Sequence, residues 1–344
     1  MSTKQNLNAG GVTLLDVARE AGVHVSTVSR ALDPAHHARV KDATRRHIEA
    51  VADQLGYRPD MVARGLKSGR TATVGVIVAD LGNTFITPVI HGLTAAVEAA
   101  GMMPMIAETE DNSDRFANIL DHMLSRRVDA MVVMSARSAD RELLESASRI
   151  LPIVVTGRPL EGTTLPEVVV DEHAGGRLIA EHFADLGHRL VVQLRGPLDV
   201  ANFPRRDQGF SDACHERGLE QMRLPETATV PVIAEGRRIM DALIDTAAAL
   251  PSAIFAHNDL MALGALSRLR QDGVRVPDDV SLAGYNDLPM VGHITPSLTT
   301  VNYPGMDVGR LAGEMILRLL GGEQVESHTL TPQLVAREST RALE

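Results

Sequence analysis

Tryptophan is absent from this 344-residue chain, and aromatic residues make up only 3% of it. Leu, Val, Ile, Ala and Met must therefore fill its cores; at 44% hydrophobic the chain has the composition of an ordinary folded protein. A single cysteine, Cys214, excludes an internal disulfide and suits a reducing compartment. No uncharged apolar run approaches ~18 residues, so no spanning helix is expected. The opening MSTKQNLNAGG has no apolar stretch after its lysine, so a secretory signal is not expected either. Catalytic signatures are missing: there is no G-x-x-x-x-G-K-[ST], no H-E-x-x-H and no G-x-S-x-G, and the 13 histidines show no metal-ligand spacing. The expectation is a cytoplasmic protein that is not an enzyme, with no cofactor, no metal and no membrane partner. Its length implies two or three domains.

Charge is plentiful but unevenly placed. Residues 1–70 hold 11 Lys and Arg against 7 Asp and Glu, a net of +4, within a chain whose total is -10. The remaining residues therefore carry -14. A basic head on an acidic body can still hold a polyanion, because exposed charges are screened beyond ~8–10 Å at physiological salt.

The head reads as helices. Thr13 followed by Asp16 fits a capping box, and Leu14, Val17, Ala18 and Ala21 recur at helical spacing before Gly22. A second short helix is expected over about Val25 to Leu32, with Val28 and Leu32 inward. A third is expected from about Asp42 to Leu55, contributing Ile48, Val51, Ala52 and Leu55 to a small core. Two short helices joined at a glycine turn form a helix-turn-helix, whose second helix enters the major groove. Val25, Ser26, Ser29 and Arg30 fall outside the inward stripe, and Arg30 has the fork that matches a guanine edge. The same pattern also fits a helical hairpin with no DNA role.

From Thr73 onward, apolar runs such as TVGVIVAD, VDAMVVMSA and PIVVTG alternate with amphipathic stretches, and the rhythm resumes after Asp171 with RLVVQLRG, SAIFAHND and VSLAGYND. Continuous Val/Ile-rich runs between helices imply parallel strands buried on both faces. The expected fold is therefore a small all-α head plus a bilobed α/β body of two doubly wound parallel sheets. Ligands of such sheets sit beyond the carboxyl ends of the strands. Those ends carry Asp80, Thr109, Ser135, Asp171, Arg195, Asn258, Asp259, Asn286 and Asp287, a set suited to a polar small molecule. Each Asp or Asn is equally suited to capping the helix that follows it.

The stretch from Thr13 to Leu32, TLLDVAREAGVHVSTVSRAL, closely resembles the DNA-binding head of the LacI/GalR family of bacterial transcriptional regulators. The family pattern is T-x-x-D-V-A-x-x-A-G-V-S-x-x-T-V-S-R-x-L. GYRPDMVARGLKSGRT, Gly56 to Thr71, resembles the family hinge Y-x-P-N-x-x-A-R-S-L. The resemblance implies that Val25, Ser26 and Arg30 read bases while Thr27 and Ser29 meet phosphate or neighbouring edges. It also implies a hinge that becomes helical on DNA, with Ala63, Leu66 and Lys67 as contacts and Leu66 wedged into the minor groove. The chain departs from the pattern at His24 and Lys41, where Ser is usual, and in a longer DPAHHARV loop.

In the body the resemblance is to the periplasmic-binding-protein-like core of that family. DLGNTFITPVIHGL then places Asn83, Thr84, Phe85 and Ile86 at the effector pocket. GPLDVANFPRRDQGF places Arg206 there, HNDLMALGAL places Asn258, GYNDLP places Asn286, and Asp171 matches a further pocket position. The implied domains are a head at 1–58, a hinge at 59–71 and a body at 72–344. The body's N-lobe spans about 72–171 and 300–330, and its C-lobe about 172–299 and 331–344. The implied function is a repressor that binds a palindromic operator in double-stranded DNA as a homodimer and answers to a small polar effector: a sugar, sugar acid or sugar phosphate. A corepressed, nucleobase-type regulator is the alternative, with a sugar-binding protein or an enzyme behind it. No leucine heptad follows QLVARESTRALE, so a dimer is expected rather than a tail-assembled tetramer.

Overall fold

Thr13 starts the first helix with a reciprocal cap: its hydroxyl accepts from the Asp16 amide at 3.4 Å, and the Asp16 carboxylate accepts from the Thr13 amide at 3.0 Å. In the computed structural model, which describes residues 12–32, 40–58, 70–247 and 249–343, this helix is α1 (Leu14–Glu20). Gly22 takes the left-handed conformation at φ 65°, which turns the chain into α2 (Val25–Ala31). α3 (Asp42–Leu55) ends at Gly56, also left-handed. Val17, Ala18, Val28, Ala31, Ile48, Val51 and Ala52 form the buried centre of these three helices. Val25 packs partly against that centre as well, so it is less free to face outward than its neighbours.

The chain divides into two compact units between Thr71 and Ala72. In the second unit a parallel sheet is built from β1 (Thr73–Val78), β2 (Met103–Glu108), β3 (Ala130–Val133), β4 (Ile153–Thr156), β5 (Glu167–Val170) and β11 (His328–Leu330), in the order β11-β5-β4-β3-β1-β2. Side chains alternate across it. Val74, Val76 and Val78 face α4 (Thr87–Ala99) and α11 (Gly305–Leu320), while Ile77, Met131 and Val133 face α5 (Ser113–Ser125) and α6 (Arg141–Ala147). This is the N-lobe.

The C-lobe repeats the plan with β6 (Leu190–Leu194), β7 (Glu220–Met222), β8 (Ala253–Ala256) and β9 (Ser281–Ala283), ordered β7-β6-β8-β9. Its helices are α7 (Glu172–Asp185), α8 (Asn202–Arg217), α9 (Ile233–Thr246) and α10 (Asp259–Gln271). The chain crosses between lobes three times: after β5, through β10 (Thr300–Asn302), and through β12 (Gln333–Val335), which pairs antiparallel with β10. After β12 the tail returns to the C-lobe, where the Leu282 amide donates to the Ser339 carbonyl.

Helix pairs lie unusually close where glycines face each other. A Cβ on Gly309 of α11 would sit 1.9 Å from the Val89 carbonyl oxygen, and one on Gly92 of α4 would sit 2.2 Å from the Met306 carbonyl oxygen. The same reciprocity joins Gly176 to Gly209 and Gly236 to Gly264. No helix of the described residues is long and apolar enough to cross a membrane.

Candidate functional site

The exposed face of α2 carries the expected reading residues. Ser26 and Arg30 are exposed, and Thr27 and Ser29 are half-buried. His24 replaces the usual serine cap: its Nδ1 accepts from the Ser26 amide at 3.2 Å and lies 2.7 Å from the Ser26 hydroxyl. Arg30 folds back along its own helix, donating from Nε to the Ser26 carbonyl at 3.0 Å and from Nη2 to the Ser26 hydroxyl at 3.3 Å. Lys41 makes no side-chain cap for α3. Ala63, Leu66 and Lys67, like most of the DPAHHARV loop, lie outside the described residues.

Between the two lobes, beyond the carboxyl ends of their strands, lies a cavity of about 290 Å³. Asp80 follows β1, Met134 follows β3, Gly157 and Arg158 follow β4, Asn258 follows β8 and Asn286 follows β9. Most of the remaining wall is apolar, from Phe85, Ile86, Val200, Phe203, Val230, Pro231, Val232 and Leu260.

At its floor Arg206, on the first turns of α8, is buried together with Glu172 at the start of α7. Its Nε donates to Glu172 Oε2 at 2.6 Å, its Nη2 to Glu172 Oε1 at 3.1 Å, and its Nη1 to the His257 carbonyl at 2.6 Å. The guanidinium carbon lies 3.7 Å from the Tyr285 ring centroid and 5.2 Å from that of Phe203. Burial works against its charge, but the Glu172 carboxylate outweighs that and holds Arg206 above its ordinary value. Of five N–H groups, two are left for another partner. Burial, with Arg206 nearby, pushes His257 well below its ordinary value, so it is neutral; its Nδ1 accepts from the Gly196 amide and its Nε2 lies 2.8 Å from Gln193 Oε1.

Asn202 precedes Arg206 by one helical turn. Its Nδ2 donates to Glu172 Oε1 and to the Gly157 carbonyl of the opposite lobe, both at 2.7 Å. Asn258 caps α10 through the Met261 amide and donates to the Pro231 carbonyl. Phe85 meets Tyr303 edge-on at 5.5 Å and packs against the cores of both lobes. Asn286 is held at φ 110°, a conformation that side chains rarely adopt. The side-chain oxygens of Asn83, Asn202 and Asn286 are buried and have no hydrogen-bond partner among the described residues.

The structure thus brings Asn83, Phe85, Ile86, Arg206, Asn258 and Asn286 to one cavity. Thr84 and Asp171 do not line it. Thr84 is exposed at the start of a 3₁₀ turn, and Asp171 caps α7 by accepting from the Ala174 amide at 2.9 Å. Sequence reasoning missed Asn202, Phe203, Asp111 and Arg158. Asn202 was within reach, since it stands at i−4 from Arg206 on a helix and so shares its face. Among the described residues, no group of His, Cys, Asp and Glu could hold a metal ion.

Residues 13–60 match the family model for bacterial regulatory proteins of the lacI family, and residues 180–340 match that for a periplasmic binding protein-like domain. Over 341 residues the chain is 31% identical to the HTH-type transcriptional repressor PurR of Photobacterium profundum, covering 96% of this chain and 99% of that protein. The chain belongs to the LacI family. It is 29% identical over 339 residues to catabolite control protein A of Priestia megaterium, covering 96% and 99% of the two chains. Its fold superposes on the lac repressor dimer bound to operator and the anti-inducer ONPF with a TM-score of 0.89 at 26% identity, over 97% of this chain and 100% of that one. A complex of the regulator CelR with cellobiose gives 0.72 at 28% identity, over 95% and 99%. As a LacI-family member the protein is a DNA-binding transcriptional regulator, with a helix-turn-helix head and a periplasmic-binding-protein-like body. Its relatives are regulators, not enzymes.

Proposed function

We propose that the protein is a cytoplasmic repressor that binds a two-fold symmetric operator as a homodimer and is switched by an uncharged polyhydroxylated molecule, a sugar, held in the inter-lobe cavity. The charge balance around Arg206 carries the effector class. Glu172 already neutralises Arg206, and Asp111 neutralises Arg158 with contacts of 2.5 and 2.9 Å. Asp80 adds a carboxylate with no cation partner among the described residues, since it accepts only from the Gly82 amide. A sugar acid or phosphate would bring a like charge into this surround, which raises the cost of keeping it ionised. Hydroxyls suit it better: they donate to the three unpartnered asparagine oxygens and accept from the two spare Arg206 hydrogens.

In this reading Arg206, Asn83, Asn258 and Asn286 hold the effector while Phe85 and Ile86 pack on it. Ser26 and Arg30 read base edges, supported by Val25, Thr27 and Ser29, and Ala63, Leu66 and Lys67 act at the hinge. A ligand that binds one lobe arrangement better than another shifts the population by that difference. Likeness to the lac repressor, solved as a dimer on its operator, supports the homodimer, and likeness to CelR, solved with cellobiose, supports the sugar. A nucleobase-type corepressor is the second reading, favoured by the Phe85 and Phe203 rings in the wall.

Thermal melting tests the choice with D-glucose, D-galactose, D-xylose, cellobiose, D-gluconate, glucose 6-phosphate and hypoxanthine, each hit being carried into a gel shift with operator selected from random duplex. Neutral sugars are expected to raise the melting temperature and change operator occupancy. Stabilisation by hypoxanthine or glucose 6-phosphate alone overturns the sugar reading.

A further inference from the structure

Arg158 touches the cavity from the N-lobe, but its partners lead away from it. Nη1 and Nη2 hold the two oxygens of Asp111 at 2.5 and 2.9 Å, and Nη1 also reaches the Ser135 carbonyl at 3.3 Å. That leaves Nε–H and one Nη2–H, the two donors along one edge of the guanidinium, without a partner among the described residues. Asp111 is shared: Arg137 Nη2 lies 3.5 Å from the same Oδ1. Burial would raise Asp111, yet Arg158 and then Arg137 hold it below its ordinary value. Arg137 is itself pinned at its backbone, where its amide donates to Asp140 at 2.9 Å. Its other nitrogen, Nη1, crosses to the C-lobe and donates to Asp199 Oδ2 at 2.6 Å. Asp199 stands next to Val200, which lines the cavity. One line of charged groups therefore runs from the cavity wall to an ion pair between the lobes.

We propose that Arg158 is a further effector contact on the N-lobe side, and that Asp111 and Arg137 relay its occupancy to Asp199, making the Arg137–Asp199 pair a latch between the lobes. The effector contact rests on the sugar reading above; the latch does not. Arg137 stands between two carboxylates, Asp111 and Asp199. An effector oxygen that accepts from the open edge of Arg158 draws the guanidinium off Asp111. The carboxylate so released pulls Arg137 toward itself and weakens its hold on the opposite lobe. Arg137 is one-quarter exposed and Asp199 nearly two-thirds, so the pair can move a lobe equilibrium by about five-fold at most. That is enough to tune a balance but not to lock it.

Spin labels on Ser125→Cys in the N-lobe and Asp245→Cys in the C-lobe measure the lobe separation in the full-length protein. Cys214 is buried, with its thiol pushed up to about 12, so it stays unlabelled. Without any ligand, Asp199→Asn is expected to enlarge the fraction at long separation two- to five-fold (an order-of-magnitude range), while Asp199→Glu keeps the wild-type distribution. Identical distributions for wild type and Asp199→Asn overturn the latch. With whichever of D-glucose, D-galactose, D-xylose or cellobiose stabilises the wild type, Arg158→Gln should bind about ten-fold more weakly and lose the sugar-driven change in separation. Unchanged sugar binding by Arg158→Gln overturns the contact. No stabilisation by any of the four overturns both the sugar reading and the Arg158 contact, and the ligand-free separations still decide the latch.

Discussion

Arg206 and Glu172 show how much one pair of side chains can decide. Both are taken out of water, and the Glu172 carboxylate outweighs the burial that works against the Arg206 charge. Removing one partner of a buried pair costs about 3–5 kcal/mol, because the survivor is left uncompensated. Arg206→Ala should therefore lower the unfolding free energy by about that much in urea titration, as well as abolish the effector response. Arg206→Met combined with Glu172→Leu should recover most of the stability but none of the response. Arg30→Ala should do the reverse at the head, erasing the preference for operator over random duplex in gel shifts while sugar binding is untouched. The two contacts of Arg30 with Ser26 use Nε–H and one Nη2–H, so three of its N–H groups stay open to a base.

Asp259, beside Asn258, is a residue whose behaviour no motif announces. Burial pushes it up to about 7, against the Thr300 hydroxyl at 2.6 Å and the Leu288 amide at 2.7 Å, which favour its charge. Asp287 repels its charge and Arg337 attracts it. A carboxyl raised on folding binds protons that the unfolded chain has released, so its contribution is complete below pH ~4 and is lost as pH rises toward 7. The unfolding free energy of wild type minus that of Asp259→Asn should fall by a few kcal/mol (order of magnitude) between pH 4 and pH 8, and then level off. A flat difference would show that folding leaves its ordinary value unchanged, and a rising one that folding favours its charge.

At the scale of elements, the helix pairs matter most. Gly309→Ala puts a methyl carbon into the backbone of α4, where neither the Val89 carbonyl nor the Leu93 amide can move aside. Such overpacking costs about 1–3 kcal/mol, to be read from urea midpoints; Gly218→Ala, with open space around its Cβ, has no such clash and loses only through its left-handed backbone. These crossings were invisible in the sequence, because a glycine in a helix looks like a weak point until its neighbour is known. The elements themselves were legible. Thr13 and Asp16 announced α1, and α3 runs over the residues its apolar spacing marked. Strand ends pointed to Asn258 and Asn286, but the same rule selected Asp171, whose carboxylate serves the helix it begins. Arg158 escaped because its role depends on Asp111, 47 residues away, and on which edge of its guanidinium that carboxylate leaves open.

For the molecule as a whole, charge and connectivity set the terms. Operator binding by a basic head on an acidic chain should weaken steeply with added salt, with log Kd rising linearly in log salt concentration. A slope near zero would mean that phosphate contacts contribute little.

The three crossings of the chain carry a different consequence. Neither lobe is a continuous stretch of sequence: α11 and β11 complete the N-lobe only after the whole C-lobe core has been made, and the tail at Ser339 closes the C-lobe last of all. During synthesis on the ribosome, β1 through β5 emerge without the helix that covers Val89 and Leu93. The early half of the body must wait, half dressed, for the last stretch of chain. A premature stop anywhere before α11 therefore spoils both halves at once.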